Sequence, residues 1–493
     1  MNAAKVSAQT TFYKTTSMCP TCERLVPGEV VGTPHGVFLV RECPDHGPFE
    51  GLVCSDLAWY ESLPRFDVPP VKPKSPLRKT EHGCPNDCGL CTAHRQIAGT
   101  AAIEISNRCD ASCPVCIADN QKTFELSVDE VSAMVDDLVR AQGTIDVLAI
   151  SGGEPAIHPD LFAILRAVSR PEVQRIALNS NGLRMAHDDG FLDELARFDK
   201  VYVTLHYDGA GAKALRGVDP QVQERAVERL GAWKIPMVPV VLAAQGINDL
   251  ALGTIVPSLL RRPSVKSVIV STMAFAGSGG ATFQGDPRTR LTIPGALDCI
   301  EAGSGGALRK RDFIPLPMPN PLCAAIGYFL VDQGELTGLI GLGDLDEVIE
   351  CTKNTNFVTQ DEDLERLLRS AVDRLYASEA LDAPRILGKF RGLLDRLFPE
   401  ATVAMEPSRR RSIVEEQVKT VYLMQLMDAW TFDTKRLSKC SCQHLLPGGS
   451  VIPSCSYYAY HRKRDPRFAA DLTPPRLRAP TNSPSPSMGR GTM

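Results

Sequence analysis

The sequence predicts an α/β protein. Its centre is a partial (β/α)6 barrel of the TIM type, a parallel sheet that is only partly closed, with cysteine-rich modules before and after it. Three observations predict this. Strand-like and helix-like apolar periods alternate six times between residues 99 and 280. Two cysteine triplets share the spacing C-x3-C-x2-C, at Cys84, Cys88, Cys91 and at Cys109, Cys113, Cys116. The second triplet is followed, one strand–helix–strand unit later, by Gly152-Gly153-Glu154-Pro155.

Residues 1–63 read as a small rubredoxin-like or zinc-ribbon-like module. Cys19-Pro-Thr-Cys22 is a knuckle, followed by Cys43-Pro-Asp-His46 and Cys54. This pattern suits a tetrahedral mononuclear Zn or Fe site, with either His46 or Cys54 as the fourth ligand. Residues 64–78 are proline-rich and predict an extended linker. Residues 79–98 carry the first triplet. In residues 99–280 the expected strands are 101–106, 145–151, 175–179, 200–206, 237–243 and 265–273. Ser127 with Glu130 predicts a capping box, and Gly143 a stop, for a helix with an apolar stripe at Val128, Val131, Met134, Val135, Leu138 and Val139. Residues 281–460 hold Cys299, Cys323, Cys351, Cys440, Cys442 and Cys455. Cys299 lies on a helical apolar pattern and reads as a core thiol. Residues 461–493, rich in Pro, Ser and Arg, read as a disordered tail.

A net charge of −4 and a pI near 6.2 argue against a nucleic-acid partner. There is no apolar run of about 18 residues to span a membrane. The first residues lack the apolar stretch of a signal peptide. Sixteen cysteines without such a signal read as metal ligands in a reducing, cytoplasmic compartment.

The spacing of Cys109, Cys113 and Cys116 supplies three thiolates to one cubane cluster and leaves its fourth iron open to a small molecule. The pattern resembles the radical SAM superfamily, whose open iron chelates S-adenosylmethionine (SAM) and whose product is a 5′-deoxyadenosyl radical. In that superfamily a GGE segment approaches the methionine end of SAM, so Gly152, Gly153, Glu154 and Pro155 become cofactor candidates. So do polar residues at the C-terminal strand ends, where parallel barrels keep their active sites: Asn179, Ser180, Asn181, His206, Asp208 and Gln245. Val115 stands where the superfamily often has an aromatic residue.

Four segments narrow the resemblance: KTTSMCPTCERLV with VRECPDHGPFEG, EHGCPNDCGLCTAHRQ, NRCDASCPVCIAD, and MDAWTFDTKRLSKCSCQH with IPSCSYY. They resemble the tetraether synthase family, which joins the tails of membrane lipids. The resemblance implies one SAM-binding [4Fe–4S] cluster, two auxiliary [4Fe–4S] clusters and a mononuclear iron. It also implies a membrane-lipid substrate and a reductant such as ferredoxin or flavodoxin. Eight auxiliary thiolates would then come from Cys84, Cys88, Cys91, Cys323, Cys440, Cys442 and Cys455, with Cys351 completing the set. The sequence departs from that family at Ser441, which separates Cys440 from Cys442, and at Met318, where a cysteine is common. Membrane access, at the inner face, would fall to the basic amphipathic segment 384–398, near Arg409-Arg410-Arg411, although its apolar residues suit an ordinary surface helix better. The alternative keeps the radical chemistry and changes the substrate: C-methylation of a pterin, or modification of a peptide. A purely electron-transferring protein is a third reading, and it would have no use for a GGE segment beside an open cluster.

Overall fold

The computed structural model describes residues 10–118, 124–277, 283, 286–355, 361–377, 383–397, 413–465 and 467. The N-terminal module is a four-stranded antiparallel sheet in sequential order: β1 (Thr10–Met18), β2 (Leu25–Thr33), β3 (Gly36–Cys43) and β4 (Gly47–Cys54). Its turns set the cysteines. The knuckle Cys19–Cys22 joins β1 to β2, and Pro44–His46 joins β3 to β4, so both ends of the metal motif meet at one edge. Gly36 (φ +126°) turns the chain where a Cβ would stand 2.7 Å from the Cys54 carbonyl oxygen.

The central strands are β5 (Thr100–Ser106), β6 (Ile145–Gly152), β7 (Val173–Ser180), β8 (Val201–His206), β9 (Met237–Ala243) and β10 (Ser267–Thr272). Each pairs parallel with the next. Every strand expected from the sequence is present, within two residues at each end. The C-terminal half adds β11 (Ile314–Pro315), β12 (Ala324–Asp332), β13 (Glu335–Gly338), β14 (Val418–Gln425), β15 (Cys442–Leu446) and β16 (Ser450–Pro453). Two of these extend the parallel sheet beyond the expected six strands. β14 pairs parallel with β10, and β15 parallel with β5. Among the described residues the sheet has 12 strands, and its two edges are antiparallel hairpins, β11–β12–β13 on β14 and β16 on β15. Because β15 begins at Cys442, this pairing carries the late cysteines to the edge beside β5.

Helices pack on the sheet through apolar stripes. Val128–Gln142 has the full capping box of Ser127 and Glu130, ends at Gly143 (φ +96°), and buries Val131, Met134, Val135 and Leu138. Burying such a side chain contributes about 1.5–3 kcal/mol each. The proline-rich segment is extended but packed. Phe66 is buried beside Ile314, Leu316 and Met318, and the Val71 carbonyl accepts the Ile97 N–H at 2.9 Å. Cys299, on the helix Ile293–Gly303, is half-buried against the central core.

The helix Ala383–Leu397 turns Ile386, Leu387, Phe390, Leu393 and Leu397 onto Ala371, Leu375 and Leu330 of its own chain. The apolar face that would have met a membrane is therefore covered. Phe398 and Arg409–Arg411 lie outside the described residues. Among the described residues no helix is long and apolar enough to cross a membrane. The expected tail boundary at 461 is too early. Residues 457–464 form helical turns, and buried Arg462 pairs with Glu104 of β5 at 3.4 Å.

Candidate functional site

β5 ends at Ser106, and the loop that follows carries Cys109, Cys113 and Cys116. Gly152 and Gly153 lie flat against that loop. A Cβ on Gly152 would stand 2.0 Å from the Ser106 carbonyl oxygen, and one on Gly153 2.0 Å from that of Arg108. The space lets the Gly153 N–H donate to the Ser106 carbonyl (2.8 Å) and the Glu154 N–H to that of Arg108 (2.7 Å). The two glycines thus fix the cysteine loop, a role beyond the close approach to a ligand expected from the sequence.

Glu154 is 1% exposed and fully used by the protein. It accepts from the Ala156 N–H (2.9 Å), the Ser180 hydroxyl (2.8 Å) and the Asn181 N–H (2.7 Å). Burial pushes its carboxyl up to about 7, against these three donors. Asn181 in turn donates through Nδ2 to Asp110 Oδ1 at 2.7 Å, tying β7 to the cysteine loop. Buried Pro155 opens the short 3-10 turn Pro155–Ile157. Glu154, Ser180 and Asn181, expected to touch cofactor, therefore form a bracket between strand ends. Asn179 is half-buried on β7.

Asp208 is another such case. Its Oδ2 accepts from Arg216 Nε and its Oδ1 from the Leu242 N–H, both at 2.8 Å. Arg216 was not singled out from the sequence. It is almost fully buried and close enough to Cys113 and Cys116 for their charges to raise its pKa, alongside that of Asp208 and against its burial. His206 ends β8. Its buried Nδ1 has no partner among the described residues, and burial, helped by Arg216, holds its pKa well below the usual value. Gln245 is exposed after β9.

The three loop thiols are half-buried and within electrostatic reach of one another. Burial pushes Cys109 up to about 11 and also raises Cys113 and Cys116, while Arg216 favours the thiolates of the latter two. Three convergent thiols at the C-terminal end of β5 and two nearby guanidiniums (Arg216 and Arg462) fit a cluster with one unligated iron.

Two further cysteine sets form. Cys323, Cys440, Cys442 and Cys455 feel one another's charge. Their sulfurs receive donors from Arg436 Nε (3.0 Å to Cys323), the Met427 N–H (3.2 Å to Cys455) and the Ser454 hydroxyl (3.2 Å to Cys442). Four thiols with such donors fit a fully ligated cluster. Cys84, Cys88 and Cys91 form the other set. Cys84 and Cys88 act on each other, which holds Cys88 low and Cys84 high; Ser456 and His461 face Cys88.

Cys351 is the thiol expected to complete an eight-thiolate set. It sits on the helix Leu345–Thr352 and receives Arg366 Nη2 at 2.9 Å. The face of that helix carries it into the packing with Asp361–Ala377.

In the N-terminal module the donor atoms of Cys19, Cys22, Cys43 and His46 lie within 4.8 Å of one another. Cys54 does not join them. It donates to the Asp56 carbonyl at 3.2 Å, and burial pushes its thiol up to about 12. Of the two candidates for fourth ligand, the structure brings His46 to the site.

Residues 11–55 match the family described as the HMPTM N-terminal zinc ribbon domain, and residues 80–249 match the radical SAM superfamily. The chain is 23% identical over 506 residues to 7,8-dihydro-6-hydroxymethylpterin dimethyltransferase of Methanocaldococcus jannaschii, covering 93% of this chain and 96% of that protein. It is 27% identical over 158 residues to GTP 3′,8-cyclase of Listeria welshimeri, covering 30% of this chain and about half (47%) of that protein. Among solved structures, a radical SAM methyltransferase from Sphaerobacter thermophilus aligns over 61% of this chain and 75% of its own, at 13% identity and a TM-score of 0.31. The family matches and the sequence relatives support the broad resemblance and lend no support to the lipid-joining family. The superfamily match covers residues 80–249, which hold both cysteine triplets and the Gly152–Glu154 segment.

Proposed function

We propose that this chain is a radical SAM C-methyltransferase whose acceptor is a pterin-like nitrogen heteroaromatic. One observation carries the reading: the similarity to the pterin dimethyltransferase runs through 93% of the chain rather than through the SAM domain alone. No similarity reported above supports the lipid-joining reading, and the amphipathic helix that offered it a membrane contact is packed on its own chain.

In this reading the sheet curls as a partial barrel around the cofactor, and Cys109, Cys113 and Cys116 hold the SAM-binding [4Fe–4S] cluster. That cluster would supply the electron that cleaves SAM to a 5′-deoxyadenosyl radical. Arg216 offsets the negative charge of the thiolates, and Asp208 orients Arg216. Gly152, Gly153 and the Glu154 bracket keep the cysteine loop rigid. Cys323, Cys440, Cys442 and Cys455 hold one auxiliary cluster, and Cys84, Cys88 and Cys91 a second. The ribbon holds Zn or Fe through Cys19, Cys22, Cys43 and His46. Electrons come from a small reductant such as ferredoxin or flavodoxin.

The test is anaerobic turnover of the reconstituted protein with SAM, reductant and 7,8-dihydro-6-hydroxymethylpterin. Methylated pterin together with 5′-deoxyadenosine is expected. 5′-Deoxyadenosine without any methylated pterin would keep the radical enzyme and overturn this acceptor.

A further inference from the structure

Residues 68–95 hold five Lys or Arg and two acids, in a chain with 54 Lys and Arg against 58 acids. One of the two acids, Asp87, is buried and turned onto the N–H groups of Glu81, His82 and Gly83. Lys72, Lys74, Arg78, Lys79 and Arg95 are all exposed, and none makes an ion pair among the described residues. Two exposed large apolar side chains, Val71 (46%) and Leu77 (36%), are interspersed with them.

This basic segment is bonded to the loop of the first triplet. The Leu77 N–H donates to the Leu90 carbonyl, and the Thr92 N–H to the Arg78 carbonyl, both at 3.1 Å. Arg78 Nη1 donates to the Cys88 carbonyl at 3.2 Å. On its other side the loop meets the four-thiol set. Ser456 Oγ lies 3.6 Å from Cys88 Sγ, and Ser456 directly follows Cys455. Cys84, Cys88 and Cys455 pack in one apolar cluster. The loop thus stands between an exposed basic surface and a second, more interior group of thiols.

Pro69, Pro70, Pro73 and Pro76 restrict the backbone of the segment, so little freedom is lost when a partner covers it. Positive charge without internal partners steers an acidic surface toward it, and Val71 and Leu77 offer apolar area once contact is made. An anionic membrane would gain nothing from contact with a cysteine loop, whereas an electron carrier would.

We propose that residues 71–79 with Arg95 form the docking surface of a small acidic one-electron carrier protein, which delivers its electron at the loop of Cys84, Cys88 and Cys91. The carrier is oxidised by one electron, the iron–sulfur group held by the loop is reduced by one, and no bond forms or breaks. The inference rests on the radical SAM reading, with an auxiliary cluster on this triplet.

The test measures the affinity of the reconstituted full-length protein for oxidised flavodoxin and oxidised ferredoxin by calorimetry, at 50 and 300 mM salt. Wild type is compared with the double variant Lys74→Gln, Lys79→Gln and with a charge-matched double variant elsewhere, Lys14→Gln, Lys234→Gln. The first pair should weaken carrier binding about fivefold at low salt, and less at high salt; the second pair should leave it as in wild type. 5′-Deoxyadenosine formation driven by reduced flavodoxin should fall in the first pair only, while formation driven by dithionite stays at the wild-type rate in both. Equal affinities in all three proteins overturn the proposal, and so does equal weakening in both pairs, which would reflect net charge alone. Binding of phosphatidylglycerol vesicles that depends on Lys74 and Lys79, with carrier affinity unaltered, would give the surface to a membrane instead. A wild type that binds neither carrier also overturns it. Carrier binding that depends on Lys74 and Lys79, in a protein that cleaves no SAM even with dithionite, supports the docking surface and overturns the radical SAM reading.

Discussion

The two triplets have one spacing and two environments. Cys109, Cys113 and Cys116 follow a strand of the parallel sheet, with backbone clamps from Gly153 and Glu154 and a buried Arg216 facing them. Cys84, Cys88 and Cys91 follow no strand. Their loop is organised by Asp87, whose Oδ2 accepts the N–H groups of Glu81, His82 and Gly83 at 2.7, 2.5 and 2.6 Å, and it is closed off by Ser456 and His461. The spacing specifies three thiolates at one point. Position relative to the strand ends decides whether a ligand can reach the metal they would hold.

Removing one thiol from each set should give the largest separation. Cys113→Ala should reduce 5′-deoxyadenosine formation to background and abolish the SAM-dependent EPR change. Cys88→Ala should lower iron content while retaining that EPR change. If Cys88→Ala also loses it, the roles assigned to the triplets are wrong. A smaller difference is expected at the glycines. Gly153→Ala drives a methyl group into the Arg108 carbonyl and must displace the cysteine loop, so 5′-deoxyadenosine formation should fall by at least about tenfold. A Cβ on Gly89 in the other triplet would meet Arg78 side-chain atoms at 3.6 and 3.7 Å and the Val451 backbone nitrogen at 3.9 Å, all ordinary contacts, besides its φ of +151°. Gly89→Ala should cost about 1–3 kcal/mol from backbone strain and leave the SAM effect in place. Equal losses in the two variants, read by SAM-cleavage rate, would remove the distinction.

The same contrast marks what was legible in the sequence. Local periodicity revealed β5 to β10 and the capped helix after the second triplet, because apolar period and cap residues sit next to one another in the chain. Cysteine spacing revealed each triplet and the ribbon. Strand β15 was hidden because CQHLL reads first as part of a cysteine motif, and it is a strand only by pairing with β5, more than 300 residues earlier. Arg216 had no signal. It gains its meaning from cysteines about 100 residues away. A count of thiols could not place Cys351, since it carries no information about which way its helix faces.

The ribbon sharpens the comparison from a third metal site that lies off the sheet. His46→Ala should weaken metal retention by the module at least about 100-fold, measured by competition with a chromophoric chelator. Cys54→Ala should leave metal content at the wild-type level and cost about 1–2 kcal/mol for the lost buried sulfur. Metal loss in Cys54→Ala with none in His46→Ala would reverse the ligand assignment. In both variants the SAM-dependent EPR change at Cys109, Cys113 and Cys116 should persist.

The smallest effect should come from the bracket that only the second triplet possesses. Burial lifts Glu154 from its ordinary carboxylate value to about 7 in the folded protein. The folded state therefore binds this proton more tightly than the unfolded chain does. Its stabilising contribution is full below the unfolded pKa near 4.5 and is lost as pH rises through about 7. Between pH 6 and 8 the loss should amount to about 1 kcal/mol, since a single unit of pKa difference corresponds to about 1.4 kcal/mol. Glu154→Gln should flatten this slope in thermal unfolding followed at both pH values, at some constant cost from offering an amide to three donors. An unchanged slope in Glu154→Gln would mean that Glu154 stays ionised throughout, its three donated hydrogen bonds outweighing its burial. The bracket would then add a full negative charge next to Cys109, and Arg216 would be the main counterweight to it.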